Sequence, residues 1–200
     1  MTFASIEDTR SIEQEMNWAE REVPKTLFSM LTGTTEKFPN SKATSFQLLS
    51  GPTDKAETLT WRMLHEKTAQ TANMLRSLGI GQTDVVAYIL PNSNESVLTL
   101  LGGMTAGVVN PINPLLDPEQ IGAILRETNA RVVVTLKSFP KTDVAQNAST
   151  AVKLAPNVKT VLEVDLNRYL TAPKSWIVPL LRPKNEISHN ATIMNFNEVL

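Results

Sequence analysis

The sequence contains no cysteine and only two histidines, His65 and His189. Without cysteine, disulfides, thiolate metal ligands and cysteine nucleophiles are excluded. The two histidines lie far apart along the chain, so we expect no histidine-based metal site. A basic cluster is lacking as well, because the net charge is −1 with acidic and basic residues interspersed. We therefore expect no nucleic-acid partner.

A long uninterrupted apolar run is also missing. The 21 residues from Ser96 to Leu116 carry no charge, but glycine, asparagine and proline interrupt them too often for a membrane-spanning helix. The N-terminus is polar and acidic and does not have the pattern of a signal peptide. Hydrophobic residues make up 42% of the chain, which is ordinary for a globular protein. We expect a cytoplasmic protein without a transmembrane segment.

Short apolar runs alternate with helical patterns in the middle of the chain. The runs predict strands at Val85–Leu90, Val108–Val109, Arg131–Leu136 and Val158–Val164. The intervening segments predict helices that begin at Asn92, with Glu95 three residues on, at Asp117-Pro118-Glu119-Gln120, and at Thr142. This alternation predicts an α/β fold, a mostly parallel sheet with helices on both faces.

The segments on either side of this alternation are less regular. Leu64, Thr68, Ala72, Leu75 and Leu78 recur on one face of a helix that we expect to end at Gly79. Before it, ATSFQLL and TLTW flank the turn region GPTDKAE and predict an antiparallel strand pair at the sheet edge. Beyond Thr171, prolines interrupt regular structure, and MNFNEVL resembles an element that is just beginning. We divide the chain into an N-terminal arm (1–23), an α/β unit (24–170) and an irregular Pro-containing segment (171–200).

Three glycine-containing stretches resemble functional loops, but we interpret each as structural. Thr32–Glu36 contains Gly-Thr-Thr, yet its apolar neighbours recur at helical spacing, so Gly33 should lie inside a helix rather than cradle phosphate. Gly79-Ile80-Gly81 is a helix end, because the third glycine of a dinucleotide fingerprint is replaced by Asp84. Gly103 and Gly107 indicate close packing of a helix on the sheet.

Polar residues follow two predicted strands at the edge where open parallel sheets bind ligands. Asn110 and Asn113 lie in Asn-Pro-Ile-Asn-Pro, and Asn92 occupies the equivalent position after the preceding strand. We interpret these three asparagines as weak candidates for a pocket rim; the alternative is a stiff connection to the next helix. Trp18 and Trp176 are interpreted as packing anchors. No catalytic, cofactor-binding or metal-binding residue can be assigned from the sequence.

Three motifs in a fixed order carry a resemblance to a known family. The first is a Leu-Thr-Trp strand feeding a helix that ends in Leu-Gly-Ile-Gly, followed by Asp-Val-Val. The second is Pro-Asn-Ser-x-Glu at the start of the next helix. The third is Met-Thr-Ala-Gly-Val-Val-Asn-Pro-Ile-Asn-Pro before Asp-Pro-Glu-Gln. In this order they resemble the N-terminal part of adenylate-forming (AMP-dependent) acyl-CoA synthetases, and the Asn-Pro-Ile-Asn-Pro form resembles the fatty-acyl type.

The resemblance implies the first half of the large N-terminal domain of such a ligase. The full enzyme would use Mg-ATP to convert a carboxylate, here a fatty acid, into an acyl-adenylate and then pass the acyl group to coenzyme A. The family's phosphate loop, Thr-Ser-Gly-Thr-Thr-Gly-x-Pro-Lys-Gly, has no match in this sequence. We therefore expect this chain alone to bind none of ATP, Mg or coenzyme A and to be inactive.

Two other readings remain open. One is a non-catalytic α/β interaction module related to these ligases, a monomer or a homodimer. The other is a small flavodoxin-like binder of a nucleotide cofactor, which the missing glycine-rich first loop disfavours.

Overall fold

The computed structural model describes residues 5–51, 54–185 and 187–200. In these residues the helices and strands follow one another in the order α1 Ile6–Glu15, α2 Leu27–Lys37, β1 Lys42–Phe46, β2 Glu57–Thr60, α3 Trp61–Ser77, β3 Val85–Ile89, α4 Asn94–Ala106, β4 Val108–Pro111, α5 Pro118–Glu127, β5 Ala130–Leu136, α6 Val144–Lys153, β6 Thr160–Val164, α7 Lys174–Leu181, β7 Thr192–Asn195 and α8 Phe196–Val199. Short 3₁₀ helices lie at Trp18–Glu20 and Leu166–Tyr169.

The architecture is a five-stranded sheet flanked by helices. Its strand order is β4-β3-β5-β6-β7, and every neighbouring pair is parallel. The predicted parallel α/β sheet is therefore confirmed. Because all five strands run in one direction, their carboxyl ends meet along one edge of the sheet.

The sheet is apolar on both faces, and each face has its own core. Along β5, Val132 and Val134 belong to one core, together with Leu75 of α3 and Leu98 of α4. Val133 points to the opposite core, which α5 and α6 cover. This alternation follows from the two-residue period of a strand, and it explains why the strands are continuous apolar runs.

The predicted C-terminus of α3 and the predicted N-terminus of α5 are confirmed. Gly79 has φ +86°, a backbone conformation that strongly favours glycine, and the Ile80 N–H donates to the Leu75 carbonyl at 3.1 Å. At the start of α5, Asp117 and Gln120 form a reciprocal capping box with Pro118 in the first turn. Gly33 lies inside α2, as expected.

The N-cap of α4 differs from the prediction by one residue. Ser93, not Asn92, caps the helix: the Ser96 N–H donates to Ser93 Oγ at 3.1 Å and the Ser93 N–H donates to Ser96 Oγ at 3.0 Å. Two serine hydroxyls close the box, so Asn92 stays exposed outside the helix.

Gly103 of α4 packs closely against the sheet, as predicted. A Cβ on Gly103 would lie 2.3 Å from Cγ2 of Val109 in β4, so the helix could not approach the sheet this closely with a larger residue there.

The N-terminal strand pair forms, but not at the edge of the main sheet. β1 and β2 are antiparallel and make a separate two-stranded sheet. Leu59 of β2 is buried in the core to which α3 and α4 contribute, so the strand pair packs against these helices and not against the edge of the main sheet. Residues 52–53 of the GPTDKAE turn lie outside the described residues.

The C-terminal segment is more regular than the sequence predicted. Helix α7 forms despite Pro179, and β7 adds a fifth strand beside β6. A proline at this position removes the backbone donor for the Ser175 carbonyl. Asn167 Nδ2 donates to that carbonyl at 3.1 Å instead, a long-range replacement that the local sequence does not reveal.

The two terminal tryptophans were wrongly interpreted as packing anchors. Trp18 is 64% exposed and Trp176 is 71% exposed.

Among the helices of the described residues, none is long and apolar enough to cross a bilayer.

Candidate functional site at the carboxyl edge of the sheet

The carboxyl edge of the sheet carries a charged cluster centred on Arg168. This arginine lies in the 3₁₀ helix directly after β6. Its guanidinium meets two carboxylates that come from different parts of the chain. One is Glu57 in β2, and the other is Glu95 in the first turn of α4.

Glu95 is the buried member of this cluster. Its side chain is 1% exposed, and its Oε1 accepts from Arg168 Nη1 at 2.8 Å. The Tyr169 hydroxyl donates to Oε2 at 2.6 Å, and Asn197, just after β7, donates to Oε1 at 3.5 Å. A charge this deeply buried requires a partner, and its place in the first turn of a helix adds a favourable dipole.

Glu57 binds the other side of the same guanidinium. Arg168 Nη2 donates to Glu57 Oε1 at 2.6 Å, and Nη1 donates to Oε2 at 3.0 Å. Asn94 Nδ2 donates to Oε2 at 2.7 Å, and Thr44 Oγ1 donates to Asn94 Oδ1 at 3.1 Å. The cluster thus joins the two-stranded sheet, the start of α4 and the segment after β6.

Burial and charge shift the pKa values of Tyr169, Glu57 and Arg168. Burial and the adjacent Glu95 carboxylate raise the pKa of the Tyr169 phenol, so it stays neutral and donates. Burial acts to raise the pKa of Glu57, but hydrogen bonds from Arg168 and Asn94 outweigh it and the pKa lies below its ordinary value. Burial acts to lower the pKa of Arg168, but its contacts with Glu57 and Glu95 outweigh burial and raise it.

Tyr169 also holds Arg168 through its ring. The guanidinium carbon lies 4.5 Å from the ring centroid, and the ring of Phe46 meets that of Tyr169 edge-on at 4.7 Å. Arg168 therefore has a fixed orientation.

Arg168 borders two open clefts. One has a volume of about 420 Å³ and lies beside Lys55 and Thr171, and the other has a volume of about 350 Å³ and lies beside Asn195 and Glu198.

This arrangement suits positioning rather than acid–base chemistry. The two carboxylates are already bound by Arg168, and the tyrosine is held as a donor to Glu95, so the polar groups of the Arg168 cluster are engaged with one another. Within the described part of the chain, no three side chains among His, Asp and Glu are placed to hold a metal ion. Both carboxylates of the cluster are bound by Arg168, whose positive charge disfavours a divalent cation beside them, so these residues do not fit Mg²⁺.

The three predicted rim residues lie at the carboxyl ends of β3 and β4, and no hydrogen bond in the described part of the chain joins them to one another. Asn92 is exposed in the loop after β3, and Asn113 accepts from the Leu115 N–H at 3.0 Å. Asn110 lies within β4, and its buried Nδ2 has no hydrogen-bond partner among the described residues. Their role in ligand binding stays a prediction.

Sequence reasoning missed the Arg168 cluster because its members are distant in the chain. Arg168 lies 111 positions from Glu57 and 73 from Glu95. One signal was available: Arg168 and Tyr169 follow a buried strand, the same position that had singled out the asparagines.

An all-parallel sheet with helices on both faces and clefts at its carboxyl edge defines the scaffold of an α/β ligand-binding protein. The chain belongs to the AMP-binding enzyme family, whose model matches residues 31–194.

Two curated relatives agree with this assignment, and one solved structure shares the fold. A long-chain-fatty-acid–CoA ligase of Bacillus subtilis is 30% identical over 158 residues, 78% of this chain and 26% of that protein. An acetyl-coenzyme A synthetase of Sodalis glossinidius is 33% identical over 127 residues, 61% of this chain and 19% of that protein. The anthranilate CoA ligase AuaEII in complex with anthranoyl-AMP shares the fold, with a TM-score of 0.60 and 20% identity over 74% of this chain and 26% of that one. The chain spans about a quarter or less of the length of these relatives.

Proposed function

We propose that this sequence is the N-terminal part of an ATP-dependent acyl-CoA ligase that acts on a fatty acid in the cytoplasm. The complete enzyme would join the carboxylate to AMP with release of pyrophosphate and then transfer the acyl group to coenzyme A. The observation that carries the proposal is the family match over residues 31–194, which spans the whole parallel sheet except the last residue of β7. The proposed preference for a fatty acid rests on the Bacillus subtilis relative. Acetyl-CoA synthetases match as well, so the family match alone does not select the acyl group.

In this proposal the chain supplies the scaffold of the active site rather than its catalytic groups. Arg168 ties α4, the two-stranded sheet and the segment after β6 into one rigid edge. That edge fixes the walls of the two clefts. ATP, Mg²⁺ and coenzyme A would require residues outside this sequence, so the 200-residue chain would be inactive alone.

The test is acid-dependent exchange of pyrophosphate into ATP. The polypeptide that carries this sequence in its native source and the 200-residue chain are assayed in parallel with long-chain and medium-chain fatty acids, acetate and anthranilate. We expect exchange by the native polypeptide, strongest with a fatty acid, and none by the 200-residue chain. Exchange by neither with any acid would contradict the ligase assignment, and exchange by the shorter chain would contradict its incompleteness.

The second candidate is a non-catalytic interaction module, as a monomer or homodimer. The observation in its favour is that every charged group of the Arg168 cluster is already paired within the chain. It predicts a cooperative melt, no exchange activity in either polypeptide and no change of melting temperature with ATP or coenzyme A.

A further inference from the structure

A third cleft at the carboxyl edge of the sheet has an apolar lining. Its volume is about 250 Å³, and its walls come from the segments after β1, β5 and β6 and from α7. The apolar lining residues are Leu49, Phe139, Pro140, Leu170, Ile177 and Val178. Because Leu170 also lines the cleft beside Lys55 and Thr171, the two clefts are neighbours. We call the apolar one the α7 cleft. An apolar cleft with few polar groups at this edge of a parallel sheet is the usual form of a small-molecule site.

The charged residues of this lining are two lysines, and among the described residues no acidic one lines the cleft. Lys174 is compensated, since its Nζ lies 3.2 Å from Oδ1 of Asp54. Lys141 forms no ion pair with a described residue, not even with Asp143 two positions along the chain. The α7 cleft therefore carries one unbalanced positive charge, at Lys141.

The backbone of Lys141 is also unusual. Its φ is +65°, in the left-handed region where glycine and asparagine are common and lysine is rare. Residues held in such a conformation cluster at ligand-binding sites, because the surrounding structure must maintain them against strain. The backbone strain and the missing counter-charge are two separate observations, and both indicate that Lys141 faces a ligand at this cleft.

The volume of the α7 cleft limits the length of that ligand. A water molecule occupies about 30 Å³ in the liquid, and a methylene group is of similar size, so the cleft holds about eight such groups. A straight alkyl chain of about eight carbons would fill the apolar part. A single negative charge at the end of the chain would balance Lys141, which suits a monocarboxylate better than a doubly charged phosphate ester.

We propose that the α7 cleft binds an alkyl carboxylate of medium length, with its chain against Ile177 and Val178 and its carboxylate at Lys141. The ligand belongs to the same chemical class as the proposed ligase substrate. The binding site nevertheless consists of residues of the 200-residue chain alone and requires neither ATP nor coenzyme A. The inference therefore does not depend on the proposed function, and its failure would leave the pyrophosphate-exchange assay unaffected.

The test is isothermal titration calorimetry of the 200-residue chain with hexanoate, octanoate and decanoate, each in its monomeric form. Each buried methylene changes the affinity about fourfold, so hexanoate should bind about fifteenfold more weakly than octanoate. Decanoate should bind about as tightly as octanoate, because eight carbons already fill the cleft. Absence of octanoate binding would overturn the proposal. An affinity that rises about fifteenfold from octanoate to decanoate would also overturn it and would indicate an open apolar face.

Two variants separate the head of the ligand from its tail, with octanol as the uncharged probe. Lys141→Gln should weaken octanoate binding about two- to fivefold and leave octanol binding unchanged, which also shows that the cleft is intact. Ile177→Ser should weaken the binding of both ligands about fivefold. Equal effects of Lys141→Gln on octanoate and octanol would contradict the assigned role of Lys141.

The matched controls are Lys184→Gln and Ile193→Ser, which make the same changes at exposed positions outside the lining of the α7 cleft. Both should leave octanoate binding unchanged. Losses equal to those of Lys141→Gln and Ile177→Ser would overturn the assignment of the ligand to this cleft.

Discussion

Arg168 places its Nη1 2.8 Å from Oε1 of Glu95, a carboxylate whose side chain is 1% exposed. The pair joins the segment after β6 to the first turn of α4 across the carboxyl edge of the sheet. A buried carboxylate is strongly destabilising when its partner is removed. The stability of this edge therefore depends on Arg168 more than on any surface ion pair.

Replacing Arg168 should destabilise the chain because it leaves Glu95 buried without a counter-charge. We predict that Arg168→Ala lowers the free energy of unfolding by about 3 kcal/mol. Urea denaturation followed by circular dichroism measures it. Arg131→Ala is the control, since its pair with Asp84 is 45% and 28% exposed, and it should cost less than about 1 kcal/mol. Equal costs for the two variants would show that Arg168 is not the anchor of this edge.

The stability of the chain should fall as the pH rises above 10, the ordinary pKa of tyrosine. The folded state holds the Tyr169 proton more tightly than the unfolded state, so the unfolded chain releases it first and gains stability. Tyr169→Phe should be less stable at neutral pH, by about 1–3 kcal/mol, but should lose less on alkalinisation. Urea melts across this range measure both effects. A Tyr169→Phe curve parallel to wild type would contradict the shifted pKa.

Two glycine-to-alanine changes should have opposite signs. Gly103→Ala would place its Cβ 2.3 Å from Cγ2 of Val109, so we expect a loss of about 1–3 kcal/mol. Gly33→Ala meets nothing within 4 Å inside α2, so we expect a gain of about 0.5–1 kcal/mol. Val109→Ala should recover part of the Gly103→Ala loss in a double-mutant cycle. The same sign for both glycine variants would refute the packing assignment.

The Asn167 amide should couple energetically to Pro179. Asn167→Ala leaves the Ser175 carbonyl without its donor, which we expect to cost about 1 kcal/mol. In a Pro179→Ala background the backbone N–H becomes available, so the same change should cost less. Hydrogen exchange of the α7 amides reports the local effect. Additive costs would show that Asn167 does not replace the missing bond.

The core of the fold was predictable because its signals are local. Gly79, Asp117 and the apolar run of β5 each specify their element within a few residues, and the structure confirms all three. The parallel sheet then follows from the alternation of strands and helices.

Two of the remaining features depend on contacts between distant residues. Helix α7 tolerates Pro179 through Asn167, and the Arg168 cluster joins segments that only the folded chain brings together. The cap of α4 was misplaced by one residue because Asn92 and Ser93 are both good N-cap residues and only the geometry distinguishes them.

The most direct test of the proposed identity is the intact mass of the polypeptide that carries this sequence in its native source, with peptide mapping beyond Leu200. We predict a mass well above the 22.1 kDa of this chain and peptides that include a glycine- and threonine-rich phosphate loop. A native polypeptide of 22.1 kDa that ends at Leu200 would contradict the ligase proposal and favour the interaction module.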